Sequence, residues 1–232
     1  MRGSRLAIPT LCVVLLALPV VATGAEGDVS FRADRNRFLD DRNVGLTLAN
    51  GSNRRIELFG GAIREAGSGD VMVRLRPERR FLPPEALHQW TWLHEGNAGI
   101  FRATYRTSVG KFKDTFEVGA FFTLGFRCEG NPNECPEVDP FAIFVRKEKP
   151  IRQLRTDLGR NEDQRRIVSG IVRRGARYNP NWSYTMSPGS IVLGEVFVEV
   201  CDAHPNFVEN HRRRWMGERW CPWSSFVASE GR

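Results

Sequence analysis

Histidine is scarce in this chain of 232 residues, with four in all, and there are only three tyrosines. No two histidines stand four residues apart, the spacing that puts two metal ligands on one helix face. No Cys-x-x-Cys pair is present, which argues against a four-ligand zinc site. The chain also lacks the Gly-x-Ser-x-Gly turn that presents a hydrolase nucleophile. Beyond residue 25 no apolar run approaches the ~20 residues of a membrane-spanning helix. These absences lead us to expect no metal, no cofactor and no catalytic residue, although an enzyme of unrecognised type stays open as an alternative.

What is present begins with a leader. Arg2 and Arg5 precede an apolar stretch from Leu11 to Val21, which closes on Ala22-Thr-Gly-Ala25. A basic start, a short apolar middle and small residues before a cut describe a secretory signal peptide over residues 1–25, so a secreted or periplasmic location is expected, with an uncleaved N-terminal anchor as the rival reading. Cleavage there removes Cys12 and leaves four cysteines: Cys128, Cys135, Cys201 and Cys221. An even number in an exported chain implies two disulfides, and four cysteines allow three pairings. Sequence order favours 128–135, around the turn-forming Glu-Gly-Asn-Pro-Asn-Glu, and 201–221.

The charge is one-sided. Thirty-four Lys and Arg stand against 27 Asp and Glu, a formal net charge of +7. Part of the excess is clustered, at Arg152, Arg155, Arg160, Arg165, Arg166, Arg173, Arg174 and Arg177, then at Arg212-Arg-Arg214. Such clustering favours an acidic partner, either a protein or a surface polymer. The plainer alternative is a solvated basic face. Export and the absence of a recognisable binding module argue against nucleic acid.

Length suggests two domains. Residues 28–118 read as all-β, with short apolar or alternating runs at 29–33, 44–49, 56–59, 71–76, 90–93, 100–107 and 112–118. Turn-formers such as Asn50-Gly-Ser-Asn53 and Gly67-Ser-Gly-Asp70 separate them, which points to a sandwich. Leu46-Thr-Leu-Ala-Asn50, Leu82-Pro-Pro, Trp90-Thr-Trp92 and Gly99-Ile-Phe-Arg-Ala-Thr-Tyr105 resemble immunoglobulin-like modules of the bacterial intracellular proteinase inhibitor type. The resemblance implies the fold. An extracellular protease inhibitor is the functional alternative that it raises.

Residues 119–230 read as a small disulfide-containing α+β domain. Strands are expected at 120–126, 141–145, 167–172 and, longest of all, 190–201 with a bulge at Gly194. Helices are expected over 151–158, with Gly159 as its cap, and over 205–216. Here Tyr178-Asn-Pro-x-Trp-Ser-Tyr184, Pro188-x-Ser-Ile191, Glu195, Glu199-Val-Cys-Asp-Ala203, Val208-Glu209, His211 and Trp220-Cys-Pro-Trp-x-Ser225 resemble the BP-seventy-four N-terminal domain family. The likeness implies a small secreted fold and supplies no mechanism. The Arg212-Arg-Arg214 run departs from the family pattern.

Candidate ligand-binding residues are Trp182, Tyr184, Glu199 and Trp223, because aromatic rings beside a basic face suit carbohydrate stacking or a protein hot spot. The alternative for the tryptophans is that they cover the 201–221 disulfide and fill a small core. On a regular strand Glu195 and Glu199 stand about 13 Å apart, at ~3.3 Å per residue. A glycosidase pair needs about 5–9.5 Å, so that chemistry is not expected. Asp202 is expected to cap the final helix, and a metal set drawn from Asp202, His204 and His211 is disfavoured. Asn50 and Asn181 begin sequons. The function expected is that of a secreted, non-enzymatic binding protein for a protein or an acidic cell-surface partner.

Overall fold

The computed structural model describes residues 29–39, 42–94, 97–127, 138–175 and 178–231. The leader and the Cys128–Cys135 pair lie outside the described residues. The first half of the chain runs through β1 (Val29–Ala33), β2 (Arg37–Leu39), β3 (Val44–Asn50), β4 (Ile56–Glu65) and β5 (Val71–Leu75). It continues with β6 (Phe81–Leu82), β7 (Leu87–Trp92), β8 (Gly99–Thr107) and the 17-residue β9 (Gly110–Phe126). The second half contains β10 (Phe141–Val145), α1 (Glu148–Leu158), β11 (Ile167–Arg174), β12 (Tyr184–Met186) and β13 (Val192–Gly194). It ends with α2 (Pro205–Asn210), α3 (Arg212–Trp215), β14 (Arg219–Trp220) and β15 (Ser225–Glu230). The described residues are thus mostly strand.

Alternation builds the first core. In β3 Val44, Leu46, Leu48 and Asn50 are buried while the residues between them are half-buried; in β8 Phe101, Ala103, Tyr105 and Thr107 are buried. That period of two puts one side of each strand against the opposite sheet. The sheet β1-β3-β7 faces the sheet β5-β4-β8-β9, and Trp92 meets Phe101 at 5.0 Å and Trp90 meets Tyr105 at 4.6 Å between ring centres. Asn50 locks one corner: its amide nitrogen donates to the Arg54, Leu82 and Pro83 carbonyls. With 1% exposure, this sequon is closed in the folded chain.

The expected break near residue 118 falls inside one strand. β9 pairs β8 from Gly110 to Val118, then β10 from Ala120 to Leu124 on one side and β15 on the other. Gly119, at the expected boundary, serves packing: a Cβ there would lie 2.2 Å from the Val145 carbonyl oxygen. The second core gathers Phe122, Leu124, Phe141, Ile143, Val168, Tyr184, Trp220 and Val227, with Ile151 and Leu154 of α1 and with Val208 and Trp215 of the last two helices. A buried ion pair holds α1 in place. The carboxylate of Asp157, fully buried, accepts from Arg166 Nε and Nη2 at 2.9–3.2 Å and from the Arg166 backbone N–H.

Two expectations about elements are corrected. The long strand over 190–201 is instead the short β13 followed by an irregular stretch and a 3-10 turn at Glu199–Cys201. β13 ends at Gly194, where a Cβ would meet the Phe197 ring at 2.9 Å, and among the described residues no strand pairs with 195–200. Val196, Val198 and Val200 are consequently 78%, 67% and 86% exposed. The β-branched composition that suggested a strand has no sheet to join. The expected helix over 205–216 is interrupted at His211 (φ −116°, ψ 24°) and becomes α2 and α3. Among the described residues no helix is long and apolar enough to cross a membrane.

Two measurements probe these cores. Arg166→Ala leaves Asp157 buried without its main partner and should lower stability by about 3–5 kcal/mol in urea unfolding. A loss under about 1 kcal/mol would show that Asp157 finds water or another cation. The second concerns His88, which is 4% exposed, packs against the Trp90 ring at 4.3 Å, and has an Nε2 with no hydrogen-bond partner among the described residues. Burial lowers its pKa below the ordinary 6.5; Glu78 opposes the shift and Arg79 adds to it. The unfolded chain therefore binds the proton more readily, so His88 imposes no penalty above about pH 6.5 and destabilises progressively as pH falls below it. The expected outcome is a steeper loss of stability from pH 7.5 to 5 in the native chain than in His88→Gln; parallel curves would refute it.

Candidate functional site

The aromatic residues of the C-terminal motifs come together as core. Trp182 is 7% exposed, and Tyr184 and Trp220 are fully buried. Trp182 and Tyr184 stand 5.7 Å apart, Tyr184 and Trp220 5.3 Å, and Phe141 lies 5.2 Å from both Tyr184 and Trp220. Each polar end is satisfied by backbone: Trp182 Nε1 donates to the Pro140 oxygen at 3.3 Å, the Tyr184 hydroxyl to Pro205 at 3.1 Å, and Trp220 Nε1 to Ala203 at 2.9 Å. Burial, with the Glu209 carboxylate second, pushes the Tyr184 phenol well above its ordinary 10.0. This placement assigns Trp182 and Tyr184 to packing rather than to a ligand-facing surface.

Around them the remaining motif residues close the C-terminal loops. Cys201 and Cys221 are disulfide-bonded across 20 residues, with Cα atoms 5.2 Å apart, and the Cys221 N–H donates to the Cys201 carbonyl. Asp202 does not cap the helix: its Oδ1 accepts from the Trp223 N–H at 2.9 Å, and His204 Nδ1 is the cap, accepting from Asn206 N. Cys201 and His204 do stand three residues apart, but the disulfide takes the sulfur and the cap takes the imidazole nitrogen. His211 Nδ1 bonds the Phe207 carbonyl and its ring stacks on Phe207 at 4.2 Å. Glu199 and Glu195 are exposed, off any regular strand, so the strand geometry foreseen for them does not arise. Trp223 is half-buried, and its indole nitrogen has no partner among the described residues.

The most distinctive surface lies on the other half. In the sheet β5-β4-β8-β9, residues alternate with the core positions to form an outer face. On it stand Arg64, Arg74, Arg76, Arg102, Arg106, Lys111 and Lys113, every one exposed or half-exposed. The register sets like charges opposite each other, Arg64 against Arg102 and Arg106 against Lys111. None of the seven forms a salt bridge among the described residues. A directly opposed like-charge pair destabilises a sheet, by up to about 1 kcal/mol. Between the cations the face is low, because the middle strand contributes Gly60, Gly61 and Ala62 and its neighbour contributes Thr104. The result is an open trough of about 640 Å³, lined also by Phe59, Leu75 and Pro77 and, among the described residues, by no acid. Phe59 sits at a register shift between Leu58 and Gly60 and is 53% exposed.

Sequence reasoning missed this face because it weighed contiguous basic runs. The available signal was period-two alternation: Arg74-x-Arg76, Lys111-x-Lys113, and Arg102 with Arg106 on strands whose intervening residues are apolar.

Residues 132–232 match the sequence model of the BP-seventy-four N-terminal domain family. The matched stretch holds the aromatic cluster and the disulfide, and the trough lies outside it. No curated protein matches the chain.

The packing assignment can be checked with two tyrosines. Tyr184→Phe removes a buried hydrogen bond to the Pro205 carbonyl, which should cost about 0.5–1.5 kcal/mol. Burial raises the Tyr105 phenol to about 12, and its hydroxyl has no partner among the described residues. Tyr105→Phe should therefore be neutral or slightly stabilising in the same urea titration. Equal losses in the two variants would contradict the assignment.

Proposed function

We propose that this is a secreted, non-enzymatic binding protein that recognises an acidic partner at the cell surface through the cationic sheet face. The observation that carries this reading is the set of seven cations on one face, two pairs of them directly opposed and none with a counter-ion among the described residues. An anion laid on such a face gains Coulomb attraction and relieves the repulsion already present. Export is supported by the leader pattern of residues 1–25, which brings the face to acidic surface polymers. We further propose that the first half is an immunoglobulin-like sandwich and the second an α+β domain of the BP-seventy-four N-terminal kind. The two facing sheets and the family match support that division.

The test compares two charge losses in binding to immobilised dextran sulfate. The double variant Arg106→Ser/Lys111→Ser should weaken binding about tenfold, while Arg212→Ser/Arg213→Ser, outside the face, should change it little. Raising salt well above physiological strength should abolish binding by the wild type, since exposed charges are screened beyond about 8–10 Å. Equal weakening by both doubles would mean that net charge alone attracts the polymer, and the reading would fail.

A further inference from the structure

We propose that the trough over Gly60, Gly61, Ala62 and Thr104 is the binding site of an acidic polysaccharide, laid lengthwise along β4 between two walls of cations. This rests on the proposed function and adds the ligand class and its path. One wall is formed by Arg74 and Arg76 on and just after β5, the other by Arg106 and Lys111 on β8 and β9. With strands ~4.8 Å apart, the walls are separated by two to three spacings, about 10–14 Å, which admits one unbranched chain lying flat. Same-face residues along a strand repeat at ~6.8 Å, the spacing of Arg74 and Arg76, so that wall meets successive anions along the chain. Arg106 and Lys111 stand side by side across two strands and concentrate charge at one point of the other wall.

The floor argues for a sugar over other acidic molecules. An extended peptide would gain most by adding a strand to a free sheet edge. Here β4 is paired on one side by β5 and on the other by β8, so its backbone groups are already bonded and recognition has to come from side chains. A flat anionic bilayer would touch the guanidinium tips and leave the floor empty. Single-stranded nucleic acid is usually held by several stacking aromatics, and the trough has one, Phe59. One exposed ring beside cations, over a floor of small residues, suits a pyranose ring that stacks by its apolar face while its acid groups meet the walls. Gly60, on the trough side opposite Arg106, has φ +108°, a conformation that strains any residue with a side chain, so the floor stays low there by backbone necessity. Gly61 is held to glycine from the core side, where a Cβ would lie 2.0 Å from the Thr104 carbonyl oxygen and 2.7 Å from the Tyr105 ring.

The experiment is calorimetric titration of the full mature protein with oligogalacturonate and with a heparin-derived oligosaccharide, alongside poly-L-glutamate and phosphatidylglycerol vesicles. Ala62→Leu raises the floor and Phe59→Ser removes the ring, and neither changes the charge. Phe59 is half-exposed, so its variant should fold even if Ala62→Leu does not, and thermal unfolding checks both. The expected result is that the wild type binds one or both oligosaccharides more tightly than polyglutamate or vesicles. Ala62→Leu should weaken that binding about tenfold and Phe59→Ser about fivefold, while binding to vesicles is unchanged. If polyglutamate or vesicles bind as tightly as the oligosaccharides, or if the folded floor variants bind them as wild type does, the trough assignment is overturned while the acidic-partner reading stands. If the wild type binds none of the four, both fall.

Discussion

Strand β9 is the constraint on which the rest of the structure depends. Its first half completes the sheet of the first core and its second half carries Phe122 and Leu124 into the second core. It pairs four other strands along 17 residues: β8, β2, β10 and β15. A strand cannot slip by one residue without turning every inward side chain outward, so each core fixes the register of the other through this one element. At the changeover Glu117 is clamped by Arg37 at 2.8 Å and Arg146 at 2.6 Å, one from each half of the chain. The Arg37 guanidinium also lies 5.4 Å from the centre of the Phe144 ring and 5.5 Å from that of Tyr178. With the Glu117 side chain only 19% exposed, this network is partly shielded from water and acts more strongly than a surface pair.

How much of this could be read from the sequence follows from the range of the interactions. The alternation of residues 44–50 and 100–107 is local and is what the structure has. The Cys201–Cys221 bond was legible because the two cysteines are the last of an even set and sequence order pairs them. The continuity of β9 was not, since Gly119 serves a contact with Val145, far along the chain, that leaves no local mark. The stretch 195–200 misled for the converse reason: its valines have strand composition, but a strand exists only where another is available to pair. The clustered arginines of 152–177 are partly structural. Arg155 is bound to Glu230, Arg166 to Asp157, and Arg165 to the Val227 carbonyl, so much of that basic cluster ties α1, β11 and β15 together. The cations of the trough face are spread over four strands, and only the sheet register collects them.

The aromatic and cysteine motifs within the matched stretch 132–232 are therefore builders. Trp182, Tyr184 and Trp220 pack on Phe141, and the disulfide and Asp202 secure the loops that cover them. Motifs built of packing residues speak for an interior and say nothing of what a surface binds. On the proposed reading, the family likeness and the recognition surface fall on different halves of this chain, joined by β9.

A cationic sheet face has another use, since lysine and arginine on an exposed edge strand keep sheets from pairing with one another. That account suits Arg74 and Arg76, because β5 is the last strand of its sheet. It does not suit Arg102 and Arg106. Their strand, β8, is flanked by β4 and β9 and offers no free edge to protect. Nor does solubility require charges of one sign to be set directly opposite each other, since interspersed acids would serve as well without the repulsion. The first core, with Phe31, Trp92, Phe101, Tyr105 and Phe116 buried, is large enough to tolerate two such pairs. What neither edge protection nor solubility explains is why the cations of the interior strand border a floor kept clear of side chains. An anionic ligand lying in that floor accounts for both the charge and the space.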